Sequence, residues 1–291
     1  MVPEDGWLYT ALTKVVNILH ISERVSTGGA ARSAYRLHRG LQRIGHRSHL
    51  YVKRREIPDP TASRIRNAVA NHYTRRDRLR ERIGQQLERR LGILYTQHQT
   101  TKHIPATETF RQADVVHLHN LHGKYFNLDM LPAFAAAKPL VWTLHDMWAL
   151  TGHCAYSYGC GRWKTGCYDC PLFCETDRHK VEPPPTRHDN TRQVWWAKRR
   201  IYHESRLHIV TPSRWLHDLA RQSILNESAT ITCIPYGLDL DIFKPVDQEV
   251  ARRSLDVPID ARVILFVSES VNKWRKCHEY LLQSLEQLDH G

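Results

Sequence analysis

The chain has 291 residues, 41% hydrophobic and 25% charged, which excludes a disordered polymer and leaves room for one full core and part of a second. No apolar run approaches the ~20 residues that a membrane-spanning helix needs, and residues 1–14 lack the charged-then-apolar order of a signal peptide. A net charge of +12 favours anionic partners such as phosphates, acidic lipid or nucleic acid, and says nothing about fold. A cytoplasmic protein is expected, able to work peripherally at the inner face of a membrane.

Residues 1–13 read as an N-terminal extension. Residues 14–20 form a short apolar strand that breaks at Gly28 and Gly29 into a helix over 30–41, with Ala34, Leu37 and Leu41 on one face. Gly45 ends that helix and residues 49–52 give the next strand. Strand, glycine turn, helix, strand is the opening of a parallel α/β sheet. Residues 115–118, 140–144, 207–211 and 231–234 are further β-rich runs, each followed by polar or turn residues, as where ligand loops sit at strand carboxyl ends. After Pro245 and a polar helix the pattern restarts, with an apolar strand over 262–267 and a helix over 279–288. One lobe over 14–245 and a truncated start of a second over 246–291 are predicted. The exposed apolar surface of so short a start predicts aggregation or self-association.

Residues 53–102 interrupt this rhythm as a basic helical insert with 13 Lys/Arg against 5 Asp/Glu, a net of +8. Leu79, Ile83, Leu87, Leu91 and Leu94 recur between the arginines at near-helical spacing. The stripe either docks a solvated helix on the lobe or meets an anionic membrane surface. The arginines are not interleaved with stacking aromatics, which argues against nucleic acid.

Three groups carry chemistry. Gly28 and Gly29, between strand and helix, form either a tight structural turn or a cradle whose backbone N–H groups approach a phosphate. His145 and Asp146 end the strand over 140–144. There an imidazole and a carboxylate can position and polarise a hydroxyl, or they simply cap a strand with a buried, satisfied histidine. Five of the seven cysteines crowd into a loop over 151–175. Cys154, Cys160, Cys167 and Cys170, with Cys174 or His153 as substitutes, suit a closed structural zinc site. Free thiols or a transient disulfide are the other readings.

In order along the chain, Ser26-Thr27-Gly28-Gly29-Ala30-Ala31, Val116-His117-Leu118-His119-Asn120, Trp142-Thr143-Leu144-His145-Asp146-Met147-Trp148, Lys164-Thr165-Gly166-Cys167-Tyr168-Asp169-Cys170-Pro171, Thr211-Pro212-Ser213-Arg214-Trp215 and Ile234-Pro235-Tyr236-Gly237-Leu238-Asp239 resemble glycosyltransferase family 4, in its exopolysaccharide, colanic-acid-type subgroup. The resemblance implies a GT-B fold, two Rossmann-like lobes around a cleft, of which residues 14–245 are the acceptor-side lobe. It implies retaining transfer from a nucleotide-sugar, UDP- or GDP-linked, to a glycan or a polyprenyl-diphosphate-linked acceptor, with no catalytic metal. Gly28 and Gly29 are then expected to face the donor diphosphate, His145 the reacting centre, and Arg275 and Lys276 the leaving group.

Three departures from the family pattern stand out. Cys277 replaces the glycine after the basic pair, and Tyr236 stands where the crossover commonly has asparagine. The paired glutamates of the donor lobe are absent. The isolated chain is accordingly expected to bind nucleotide-sugars poorly. It acts either as part of a transferase, with a complementing chain or by self-association, or as an inactive half-molecule that binds an acceptor glycan or a partner.

Overall fold

Seven runs of β-branched and apolar residues pair as one parallel sheet: β1 Asn17–Arg24, β2 Arg47–Arg54, β3 Ala62–Arg64, β4 Val115–Leu118, β5 Leu140–Thr143, β6 Leu207–Thr211 and β7 Ala229–Cys233. Their order is β3-β2-β1-β4-β5-β6-β7, all parallel. The computed structural model describes residues 14–91, 97–173, 188–268 and 274–288. The helices of seven residues or more are α1 Gly29–Arg43, α2 Arg75–Leu91, α3 Leu131–Ala137, α4 Thr191–His203, α5 Arg214–Arg221, α6 Gln248–Ser254 and α7 His278–Leu288. Among the described residues, no helix is long and apolar enough to cross a membrane. The chain divides into two compact units, Met1–Gly237 and Leu238–Gly291.

The first unit is an α/β lobe of the Rossmann type, and strand register sorts its side chains. Leu19 lies beside Val116 and His20 beside His117; Val116 lies beside Leu140 and Leu118 beside Trp142. Because successive side chains alternate, Leu19, Ile21, Val116, Leu118, Leu140 and Trp142 share one face and enter the main core with Phe126, Phe134, Trp148 and Tyr202. The other face carries His20, Ser22, Ser48 and His117, all buried, beside a small cluster of Val25, Leu50, Val52 and Ala62.

That polar face explains how α1 sits. Of Ala34, Leu37 and Leu41, expected on one face, Ala34 is buried together with Ala31 and His38, and Leu37 is 40% exposed. Two alanines let the helix approach closely. His38 then reaches Ser48 Oγ (2.7 Å) and Thr61 Oγ1 (2.9 Å).

The stripe on α2 is likewise turned outward. Leu79, Ile83 and Leu87 are 60%, 53% and 50% exposed, so these three side chains do not dock the helix. The side chain of Leu91 and all of Leu94 lie outside the described residues. Polar groups hold the inner side instead. Glu81 Oε2 accepts from Tyr73 Oη (2.9 Å) and Gln99 N (3.2 Å), and Glu88 Oε1 accepts from Gln97 N (3.0 Å). Gly84 lets Gln97 come so close that a Cβ would sit 2.7 Å from it.

In the second unit, α6 starts at Asp247, whose Oδ1 accepts from Val250 N (3.1 Å). Residues 261–268, predicted to begin with a strand, form none. A strand exists only where a neighbour completes its ladder, and the described residues of this unit are helical or irregular. Val263, Ile264, Leu265 and Val267 are 57–81% exposed.

A candidate active site at the strand carboxyl ends

The strand order reverses between β1 and β4, the crevice where open parallel sheets bind ligands. The segments leaving β1, β4 and β5 carry Gly28, His119 to His122, and His145 with Asp146. Gly28 has φ 90° and ψ 160° and precedes α1 with no side-chain cap. Its positive φ demands glycine, and the first-turn N–H groups of this long helix suit an anion.

His145 is held from both sides. Its Nδ1 is 2.6 Å from Tyr236 Oη and its Nε2 is 3.3 Å from His119 Nδ1. His119 Nε2 lies 3.1 Å from His20 Nδ1. Successive rings are tilted by only 21°, 30° and 23°, so they meet edge to edge in a row. Burial pushes the His145 imidazolium down to about 4, against the pull of Asp146. Burial, then neighbouring imidazoles, put His119 and His20 well below the usual range. Burial raises the Tyr236 phenol. All four groups are therefore neutral at physiological pH.

Asp146 does not bond to His145. Its Oδ2 lies 2.8 Å from His122 Nε2 and its Oδ1 accepts from Trp148 N (2.9 Å). Burial alone would raise the Asp146 carboxyl, but His122 and the Trp148 N–H outweigh it and the net direction is down. The carboxylate thus orients His122, whose Nδ1 has no protein partner among the described residues. His20, His119 and His122 were not singled out as site residues from sequence. A histidine at 117, 119 and 122, immediately after a β-rich run, was the available signal.

His20, His117 and His119 each bring a ring nitrogen within 4.8 Å of the others, as a metal site requires. Their planes do not fit one. His117 stacks on His119 at 4.4 Å and 27° while its Nε2 bonds Thr143 Oγ1 (2.8 Å), and His20 meets His119 in line. Lone pairs in stacked and in-line rings do not converge on one point.

The cysteine loop packs beside α4. Burial pushes the Cys154 thiol up to about 12 and Cys167 to about 11, and raises Cys170. Cys154 senses Cys167, Cys170 and Cys160 in turn, yet no three of these four sulfurs lie within 4.8 Å of one another. Cys174 lies outside the described residues. Gly152 N donates to Cys167 Sγ (3.1 Å); a Cβ at Gly152 would lie 2.1 Å from Thr191 O. Beneath the loop the fully buried Lys198 amine donates to Trp148 O (2.6 Å) and Thr151 O (2.8 Å) and sits 3.6 Å from the centre of the Trp148 ring.

A cavity of about 480 Å³ opens under α2, lined by Lys53, Arg66, Glu81, His98, Lys124 and Tyr125 among others. Lys53 stands near the carboxyl end of β2 and Lys124 follows β4, at the same end of the sheet as His145. Arg275 and Lys276 belong to the second unit, in the single 3₁₀ turn Trp274–Lys276.

The chain is 31% identical over 199 residues to a protein of Escherichia coli (strain K12) named "Putative colanic acid biosynthesis glycosyl transferase WcaC", covering 65% of this chain and 46% of that relative. The chain therefore spans less than half of that relative. The model of Glycosyltransferase Family 4 matches residues 27–242, most of the chain, and the chain belongs to that family.

Proposed function

We propose that this chain serves a retaining glycosyltransferase that moves a sugar from a UDP- or GDP-sugar to a glycan on polyprenyl diphosphate, in the synthesis of a cell-surface polysaccharide at the cytoplasmic face of the membrane. The observation that carries the reading is one sheet edge holding both an anion-ready helix N-terminus, after Gly28 and Gly29, and the His145, Asp146 and His122 cluster. The first suits a diphosphate and the second a sugar hydroxyl. In transfer, the acceptor oxygen bonds the anomeric carbon and the nucleoside diphosphate leaves with its bond pair. Arg275 and Lys276 offset the charge that develops on it. Family membership and the name of the relative support the reaction class.

Deleting the encoding gene and weighing the lipid-linked glycans by mass spectrometry tests this. The expected result is an intermediate one sugar short, which a copy carrying Asp146→Asn fails to extend. Unchanged glycans overturn the reading. Full rescue by Asp146→Asn would favour a second reading, that the chain only holds an acceptor, for which the polar cavity under α2 speaks.

The outward stripe of α2 fits an anionic bilayer. Leu79, Ile83 and Leu87 are flanked by Arg75, Arg76, Arg78, Arg80 and Arg82, pairing apolar insertion with headgroup attraction. Flotation with phosphatidylglycerol vesicles is expected to exceed that with phosphatidylcholine, and Ile83→Glu to abolish the difference. Equal flotation removes the proposal. A structural zinc on Cys154, Cys160, Cys167 and Cys170 would knit the loop; the burial of the Cys154, Cys167 and Cys170 thiols supports it. Metal analysis of the purified chain should then find about one zinc per chain, and a chain purified without metal loses the proposal.

A further inference from the structure

The row Tyr236–His145–His119–His20 has a direction. A neutral imidazole has one N–H and one bare nitrogen, so fixing one proton fixes them all. In one arrangement Tyr236 donates to His145 Nδ1, His145 Nε2–H to His119 Nδ1, and His119 Nε2–H to His20 Nδ1. This leaves His20 with an N–H at Nε2. In the reverse arrangement His20 Nδ1–H donates to His119 Nε2, His119 Nδ1–H to His145 Nε2, and His145 Nδ1–H to the Tyr236 oxygen. His20 Nε2 is then bare.

The far end decides between them. His20 is 0% exposed, and its Nε2 has no hydrogen-bond partner among the described residues. Orphaned buried N–H groups are rarer in proteins than under-filled acceptors. The bare nitrogen wins, and every proton in the row points towards Tyr236. The hydroxyl oxygen then accepts from His145, and its own proton has no acceptor in the lobe among the described residues. Tyr236 is 43% exposed and follows β7 at the sheet edge that carries the site.

We infer that Tyr236 is a ligand-facing hydrogen-bond donor, set in that role by the tautomers of His20, His119 and His145, and that its partner is an oxygen of the bound diphosphate or sugar. His145, with both nitrogens engaged, is a positioning residue that turns the Tyr236 proton outward. The ligand in this inference rests on the proposed function; the proton order does not.

Long-range ¹H–¹⁵N spectra of ¹⁵N-histidine-labelled chain at pH 7 test the row directly. His20, His119 and His145 should each carry the proton on Nδ1, the tautomer that free histidine disfavours. Protons on Nε2 in these three overturn the inference. Tyr236→Phe keeps the ring but removes the acceptor of His145 Nδ1–H. Because the far end at His20 sets the row, His145 should keep its proton on Nδ1 with a shifted resonance, and a row moved to Nε2 also overturns the inference. For the ligand, UDP and GDP are titrated into wild type and Tyr236→Phe. The expected result is about tenfold weaker binding by the variant, the size of one hydrogen bond to a charged group. Equal affinities sink the role of Tyr236 alone. No binding by wild type removes the diphosphate as the ligand named here, and the proton order then stands or falls on the spectra alone.

Discussion

One face of the sheet buries Leu19, Ile21, Val116, Leu118 and Trp142, and the opposite face of the same strands buries His20, Ser22, His117 and His119. The first is held by area and shape and is indifferent to pH. The second is held by hydrogen bonds that work only while the imidazoles stay uncharged. Alternation along a strand thus lets β1 and β4 contribute to a core and a site at once, with no residue serving both.

The sharpest way to separate the faces is acid. His117 and His145 are depressed to about 3 and about 4 by burial, and His20 and His119 lie well below the ordinary 6.5. A depressed folded value means that the unfolded chain binds more protons below 6.5. The stability is fully present above pH 6.5 and is lost as pH falls towards 3–4, at about 1.4 kcal/mol per pH unit for each histidine. Urea midpoints followed by circular dichroism should drop steeply from pH 7 to 4.5, with a shallower slope in His117→Gln. A flat profile would mean the polar face is wetter than described.

The apolar side has one exception, Lys198, depressed to about 7 chiefly by burial. Here the unfolded chain binds the extra proton between about 7 and 10.5, so stability should rise with pH across that window. Between pH 7 and 9 the gain is about 2–3 kcal/mol, and Lys198→Met should remove it. The smallest effect is expected at Ser22, whose buried hydroxyl has no partner among the described residues. Ser22→Ala should stabilise by about 1 kcal/mol, read as a rise in thermal midpoint; a fall would reveal an unseen partner for the hydroxyl.

The sequence was legible where local pattern and burial agree. β4 and β6 begin and end where their apolar runs do, because their neighbours on both sides are strands. β3 was missed, being three residues long inside the basic insert. The inner sides of α1 and α2 were not legible, because His38, Glu81 and Glu88 face partners that only the folded chain provides; of the two readings of the α2 stripe, docking fails at Leu79, Ile83 and Leu87. In the site, Gly28, His145 and Asp146 could be found because each ends or follows a β-rich run. The pairing of His20 with His119 spans 99 positions, and that of His122 with Asp146 spans 24. Strand order creates both contacts, so no local spacing predicts them.

The inner side of α2 has a consequence for how this lobe can be rebuilt. A helix seated by Glu81, Gly84 and Glu88 rather than by Leu79, Ile83 and Leu87 can be cut away without removing a described side chain of the main core. The segment around 75–91 is in that sense an interchangeable address: a lobe given a different surface helix would keep its sheet, and the helix moved to another scaffold would carry its three outward apolar side chains and its arginines with it.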